Sequence, residues 1–297
     1  MSHGGTPEEQ AALDQRIREK LSEIRYPIMV MSGKGGVGKS TVAVNLAVAL
    51  AERGNRVGIM DVDIHGPNVP KMLGIEGRLI EGGENRIEPV HLGPNLSVAS
   101  LGLIGQDPDQ AIVWRGPMKI ALIRQFIGDV AWGPLDYLII DTPPGTGDES
   151  LTVAQTIVNL AGAVVVTTPQ DVSILDSRKS LNFAEKLKIH VLGIVENMSG
   201  FVCPCCGTIT SIFSEGGGKH AADSLGIPFL GSIPLDPAVV TAGDKGNPLL
   251  STKTTSPAHE ALNKVVDLIV AGIAAREAEG GYERERKRLS PEFRPEQ

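Results

Sequence analysis

Cysteine is almost missing from this chain of 297 residues: it has three, all between positions 203 and 206. Three thiols within four positions cannot build a disulfide framework, so the sequence reads as that of a protein kept in a reducing compartment, the cytoplasm. Aromatic residues make up only 4%, which disfavours an aromatic-rich β-sandwich. No apolar run approaches the ~20 residues needed to cross a bilayer. Residues 1–10 are polar, without the apolar stretch of a secretory signal. A membrane partner is therefore not expected. An excess of positive charge is lacking too. With 28 Lys and Arg against 35 Asp and Glu, the net charge is −7, which argues against a nucleic-acid partner held by bulk electrostatics.

What the chain does hold is 41% hydrophobic residues, 35 glycines and 20 prolines. That is ample material for a core, interrupted by many tight turns. Residues 1–26 read as a polar leader with one helix, because Leu13, Ile17, Leu21 and Ile24 fall on one stripe. From Ile28 onward short apolar runs alternate with Gly- or Asp-containing turns and longer helical segments. The runs are continuous rather than alternating, the mark of parallel strands buried on both faces. Residues 78–94, rich in Gly and Pro, predict a hairpin or loop insertion. Residues 276–297 alternate charges and predict a flexible solvated tail. The expectation is one α/β domain over residues 27–275, a doubly wound, mostly parallel sheet in a three-layer αβα arrangement.

The strongest local signal is Gly33-Lys34-Gly35-Gly36-Val37-Gly38-Lys39-Ser40, followed by Thr41, directly after a strand and before a helix. Such a loop turns successive N–H groups onto phosphate oxygens, and the helix N-terminus adds partial positive charge. Lys39 is placed to reach the β- and γ-phosphates, and the Ser40 hydroxyl to ligate Mg²⁺. Asp61, Asp63 and Asp141 each follow a strand, so all three can face a ligand beyond the carboxyl ends of the sheet. Asp141 is expected to hold Mg²⁺ through water, with Asp61 nearer the metal and Asp63 positioning the attacking water. Gly145 can offer its N–H to the γ-phosphate. Lys34 reads either as a solvated lysine or as a cation aimed at a phosphate bound by another subunit.

Cys203, Cys205 and Cys206 lie in a loop after a strand, with Gly207 next. Two thiolates with two residues between them can grip one metal centre, and iron–sulfur, zinc and redox use are equally compatible with that spacing. A four-ligand site exceeds the cysteines of one chain. Two chains, each giving Cys203 and Cys206, complete it, so the count predicts a homodimer. Cys205 has no assigned role, and no histidine stands at a ligand spacing.

The phosphate loop resembles the deviant Walker A loop of MinD/ParA-type P-loop ATPases. Asp61-Val-Asp-Ile-His-Gly-Pro-Asn68, Val113-Trp-Arg-Gly-Pro-Met118, Leu135-Asp-Tyr-Leu-Ile-Ile-Asp-Thr-Pro-Pro-Gly-Thr-Gly-Asp148 and Glu196-Asn-Met-Ser199 narrow the match. Together they resemble the Mrp/ApbC family of ATP-binding iron–sulfur cluster carriers, over residues 28 to about 250. The resemblance implies slow ATP hydrolysis with Mg²⁺, and Lys34 acting across an ATP-sandwiched dimer. It further implies a labile 4Fe-4S cluster bridged by Cys203 and Cys206, taken from an assembly scaffold and passed to apo-proteins. Asn197 is implied to contact adenine; independently, the Asn/Thr-Lys-x-Asp guanine signature is missing. The leader lacks an added cysteine cluster, so no second cluster is expected. Two other functions fit the loop: a partition or positioning ATPase, and an ATPase with a structural zinc.

Overall fold

The computed structural model describes residues 6–104 except 81 and 84, 116–280 except 204, 205, 214, 215, 253 and 254, and residue 282, with only the backbone of 171–175. The leader forms a helix along its apolar stripe, but the helix stops short of Ile24, which opens the first strand instead. Helix α1, Pro7–Ser22, starts at a reciprocal cap in which Thr6 Oγ1 accepts from the Glu9 N–H (3.3 Å) and Glu9 accepts from the Thr6 N–H (2.7 Å). Ile17 and Leu21 are its buried face. Strand β1, Ile24–Met31, follows at once and is buried at every position but Arg25.

Then come α2 (Lys39–Glu52), β2 (Val57–Asp61) and a single turn, α3 (Val69–Met72). The Gly- and Pro-rich stretch forms the expected hairpin, β3 (Gly82–Gly83) against β4 (Arg86–Ile87), before β5 (Val90–Leu92) and β6 (Leu96–Ser100). The second half alternates: α4 (Gly116–Asp129), β7 (Leu135–Asp141), α5 (Asp148–Thr156), β8 (Gly162–Thr167), α6 (Asp171–Lys186) and β9 (Val191–Val202). It ends with β10 (Ile209–Thr210), α7 (Gly217–Leu225), β11 (Phe229–Leu235), α8 (Pro237–Asp244) and α9 (Pro257–Ala278).

The sheet runs β11-β9-β8-β1-β7-β2-β6-β5. Neighbours are parallel except β5 on β6, and β10 pairs antiparallel with the end of β9. One apolar layer packs α2 and α9 on the sheet, the other α1, α4 and α5. This is the doubly wound, three-layer α/β fold expected.

Close packing leaves no room at the centre of β2. A Cβ on Gly58 would sit 2.7 Å from Leu135 Cδ1 and 2.9 Å from both Leu138 Cδ1 and Trp132 Cε3. Gly58→Ala is therefore expected to cost about 1–3 kcal/mol through overpacking, read as a lowered denaturant midpoint. An unchanged midpoint would mean that the layer beneath β2 yields.

The expected tail begins too early. Helix α9 runs on to Ala278, Arg276 is buried with its guanidinium 2.5 Å from the Ala161 carbonyl, and Tyr282 is buried against Tyr26. Charge alternation hides this, because Arg and Tyr bury their bodies and spend their polar ends on backbone carbonyls. Residues 283–297 lie outside the described residues.

Candidate functional site

Strand register gathers the carboxylates. Asp61 pairs with Asp141 across β2 and β7, and Asp141 pairs with Val30 across β7 and β1, so three strand ends meet beneath the glycine loop. The loop is tied to its surroundings through glycines that could be nothing else. A Cβ on Gly33 would lie 2.2 Å from the Asp176 carbonyl oxygen. Gly38, at φ 79° in the left-handed region, would meet Asn197 Nδ2 at 2.1 Å.

Lys39 is 6% exposed and its Nζ lies 2.5 Å from Asp141 Oδ1, with the Ser40 hydroxyl 3.4 Å away. Burial raises the Asp141 carboxyl, against the pull of Lys39. Burial and the facing Asp141 push Asp61 up to about 8. Of the two buried carboxylates only Asp141 pairs with the lysine, and Asp141 Oδ2 is buried without a hydrogen-bond partner. An orphaned carboxylate oxygen beside a hydroxyl is a hard-oxygen donor set that fits a hydrated Mg²⁺.

Asp61 itself does not fit the role of metal neighbour. Its Oδ1 accepts from the Asp63 N–H (3.1 Å), and its Oδ2 accepts from the Val69 N–H (3.3 Å) and the Ser100 hydroxyl (3.0 Å). It is fully buried and shapes the following loop. Asp63 is held in that loop by Oδ1, which accepts from the N–H groups of His65 (3.1 Å) and Gly66 (3.2 Å). Gly145 also departs from its expected use: its N–H donates to the Ser32 carbonyl at 2.8 Å rather than standing open to a phosphate. Lys34 Nζ lies 3.3 Å from Gln170 Oε1.

Beside the loop, a cleft of about 240 Å³ opens between Thr41, Asn45, Asn197, Pro234, Asp236 and Val239. Asn197 donates from Nδ2 to the Val37 carbonyl (2.9 Å), fastening β9 to the phosphate loop. Glu196, quoted in the sequence only as part of a motif, is fully buried and braces the middle of that strand. Its oxygens accept from the Gly218 N–H (2.6 Å) and the hydroxyls of Ser199 (2.6 Å) and Ser232 (3.3 Å). Sequence reasoning also missed Lys119, whose Nζ bridges His65 Nε2 (2.6 Å) and Glu149 Oε1 (2.8 Å) at the mouth of the site.

The same strand, six residues on, leads to the cysteines. Paired β9 and β10 hold the loop as a hairpin tip: the Cys203 N–H donates to the Thr208 carbonyl (3.0 Å), and the Gly207 N–H to the Cys203 carbonyl (2.8 Å). Gly207, at φ 71°, permits that closure. Cys206 is exposed and Cys203 half-buried. Hydrogen bonding with Thr208, whose Oγ1 accepts from Cys206 Sγ at 3.2 Å, and with Cys203 holds the Cys206 thiol below its usual range. Cys205 and Arg115 lie outside the described residues. Among the described residues no three potential ligands of the His, Cys, Asp and Glu type form a metal-holding group.

A family model described as NUBPL iron-transfer P-loop NTPase, of the ParA group, matches residues 23–270. The chain belongs to this family. The matched span takes in the glycine loop, the three aspartates and the cysteine hairpin. It is similar to the iron-sulfur cluster carrier protein of Methanocaldococcus jannaschii, 49% identical over 261 residues, 87% of this chain and 90% of that one. It is likewise 49% identical to the human cytosolic Fe-S cluster assembly factor NUBP2, over 84% of this chain and 94% of that one. Among solved structures it resembles a nucleotide-binding protein from Archaeoglobus fulgidus in complex with ADP, with 42% identity, a TM-score of 0.69 and coverage of 78% and 91%. The cell-division ATPase MinD of Pyrococcus furiosus shares the fold at a TM-score of 0.63 and 26% identity, over 83% of this chain and 98% of that one. Among the described residues, no helix is long and apolar enough to cross a membrane.

Proposed function

We propose that this protein is an ATP-binding and ATP-hydrolysing carrier of an iron–sulfur cluster. It works in the cytoplasm, receives a labile 4Fe-4S cluster from an assembly scaffold and passes it to apo-proteins. The observation that carries the reading is a single strand, β9, fastened to the phosphate loop at Asn197 and presenting Cys203 and Cys206 at its exposed end. The names of the curated relatives support it.

In this reading the amides of residues 33–41 cradle the phosphates, and Lys39 leaves Asp141 to reach the transferred group. Ser40 and Asp141 hold Mg²⁺, which when bound neutralises phosphate charge. Asp63, its carboxylate fixed through Oδ1, orients the attacking water. Lys34 exchanges Gln170 for a phosphate of the second subunit. The cluster is cargo and needs about four thiolates; each chain offers Cys203 and Cys206, so the carrier is a homodimer. No membrane or nucleic acid takes part.

Anaerobic reconstitution tests this directly. The expected result is about four iron and four sulfide per dimer, with the count or its lability changing when Mg-ATP is added. Zinc in place of iron, or a monomer with nucleotide and metal both supplied, would overturn the assignment.

A further inference from the structure

Asp63 does not hold itself in place. Both bonds accepted by its carboxylate fall on Oδ1, from the N–H groups of His65 (3.1 Å) and Gly66 (3.2 Å), so Oδ2 is the oxygen left to face a water. The aim of the carboxylate therefore follows the backbone of residues 63–66, in the loop between β2 and α3. The His65 side chain is 67% exposed, so packing does not fix that loop at its ring. Two helices do. Lys119 in the first turn of α4 and Glu149 in the first turn of α5 are only 18% and 16% exposed, with Nζ and Oε1 2.8 Å apart. From this pair the lysine reaches out to His65 Nε2 at 2.6 Å, and Glu149 Oε1 lies 3.5 Å from the same nitrogen. An ammonium has donors only, so the imidazole nitrogen accepts. A carboxylate in the first turn of a helix sits favourably against the helix dipole, which makes Glu149 a firm anchor. The next residue ties a second loop to the same turn. The Ser150 hydroxyl is shared between the carbonyls of Pro143 (3.2 Å) and Gly145 (3.1 Å). The loop after Asp61 and the loop after Asp141 thus hang on one turn of α5.

We infer that Lys119 is a positioning residue for hydrolysis: by holding the His65 ring against Glu149, it fixes the backbone amides that aim the Asp63 carboxylate. The inference rests on the nucleotide-hydrolysing reading and names the residues that set its geometry. Lys119 acts through His65 and not on the phosphates. The contact contributes little as packing, since so exposed an imidazole buries little surface. Its value lies in alignment, where a displacement of about 1 Å can cost ~10²-fold in rate.

His65→Ala is the cleanest variant. It removes the ring, keeps the N–H that Asp63 accepts, and leaves the pair of Lys119 and Glu149 whole. Mg-ATP hydrolysis by the full-length protein is followed as phosphate release over a range of ATP concentrations. His65→Ala and Lys119→Met are each expected to lower kcat about tenfold while KM stays within about twofold of wild type. The double variant is expected to be slower than the worse single one by no more than about twofold, because both changes cut one chain of contacts. His65→Gln offers the lysine an amide oxygen and is expected to restore most of the rate. A rate unchanged in His65→Ala, or losses that multiply in the double variant, overturns the inference and leaves Lys119 a clamp between α4 and α5. A glutamine variant as slow as the alanine one does the same. Should Lys119→Met fold poorly, because it strands Glu149, the alanine and glutamine variants at exposed His65 carry the test alone. A wild type that binds Mg-ATP and releases no phosphate overturns the hydrolysing reading beneath it.

Discussion

Lys39→Ala is expected to abolish nucleotide hydrolysis, lowering kcat by at least ~10³ and weakening phosphate binding, as loss of a preorganised charge at a developing anion does. The same change disturbs the resting protein. Lys39 and Asp141 form a buried ion pair at 2.5 Å, with side chains 7% and 0% exposed. Removing one partner of such a pair costs on the order of 3–5 kcal/mol, here tempered because Asp141 can take up a proton. The two effects separate in a double variant. Adding Asp141→Asn to Lys39→Ala removes the uncompensated carboxylate, so the melting temperature is expected to recover while hydrolysis stays absent. Asp63→Ala provides the contrast: hydrolysis is lost, nucleotide affinity is kept, and stability changes little beyond the two N–H groups that Asp63 Oδ1 satisfies. Phosphate release and thermal melting on the same samples decide it. Hydrolysis retained in Lys39→Ala would remove this loop from the chemistry.

The parts of the site legible in the sequence are those made by local geometry. Glycines, a lysine and a hydroxyl at fixed spacing between a strand and a helix define the phosphate loop without knowledge of its neighbours. Continuous apolar runs likewise reveal parallel strands, and strand ends reveal where carboxylates gather. What the sequence withheld is how each polar atom is spent. Asp61 and Asp141 are equivalent in the sequence, each an aspartate after a strand. Three donors from the following loop and β6 engage both oxygens of Asp61, whereas Asp141 keeps a free oxygen. Gly145 sits at the right place, yet its N–H is consumed by Ser32. Asp236-Pro237 reads as an ordinary helix start, and only tertiary structure leaves its second oxygen beside a cleft. Arg276 and Tyr282 show the converse: a charged segment looks solvated until the carbonyls that receive its side chains are known.

Replacing both Cys203 and Cys206 by alanine is expected to reduce reconstituted iron and sulfide to background while leaving Mg-ATP affinity within about twofold and the melting temperature nearly unchanged. Stability survives because one thiol is exposed, the other half-buried, and the hairpin is closed by backbone bonds from Cys203 to Thr208 and from Gly207 to Cys203 that alanine preserves. Each single replacement is expected to be as damaging to the cluster as the double one, since two chains then offer two thiolates where about four are needed. Cys205→Ala is the control, expected to retain the cluster. Nucleotide affinity carries the sharper information. Cys203 stands just past the end of β9, six residues from Asn197, a span of at most roughly 20 Å at ~3.3 Å per residue. A strand so short can transmit a shift of the phosphate loop to the hairpin, but the loop's own hydrogen bonds do not depend on the thiols. Loss of ATP binding in the cysteine variants would therefore mean that the hairpin helps build the nucleotide site. A full cluster in the double variant would mean that other residues hold the iron.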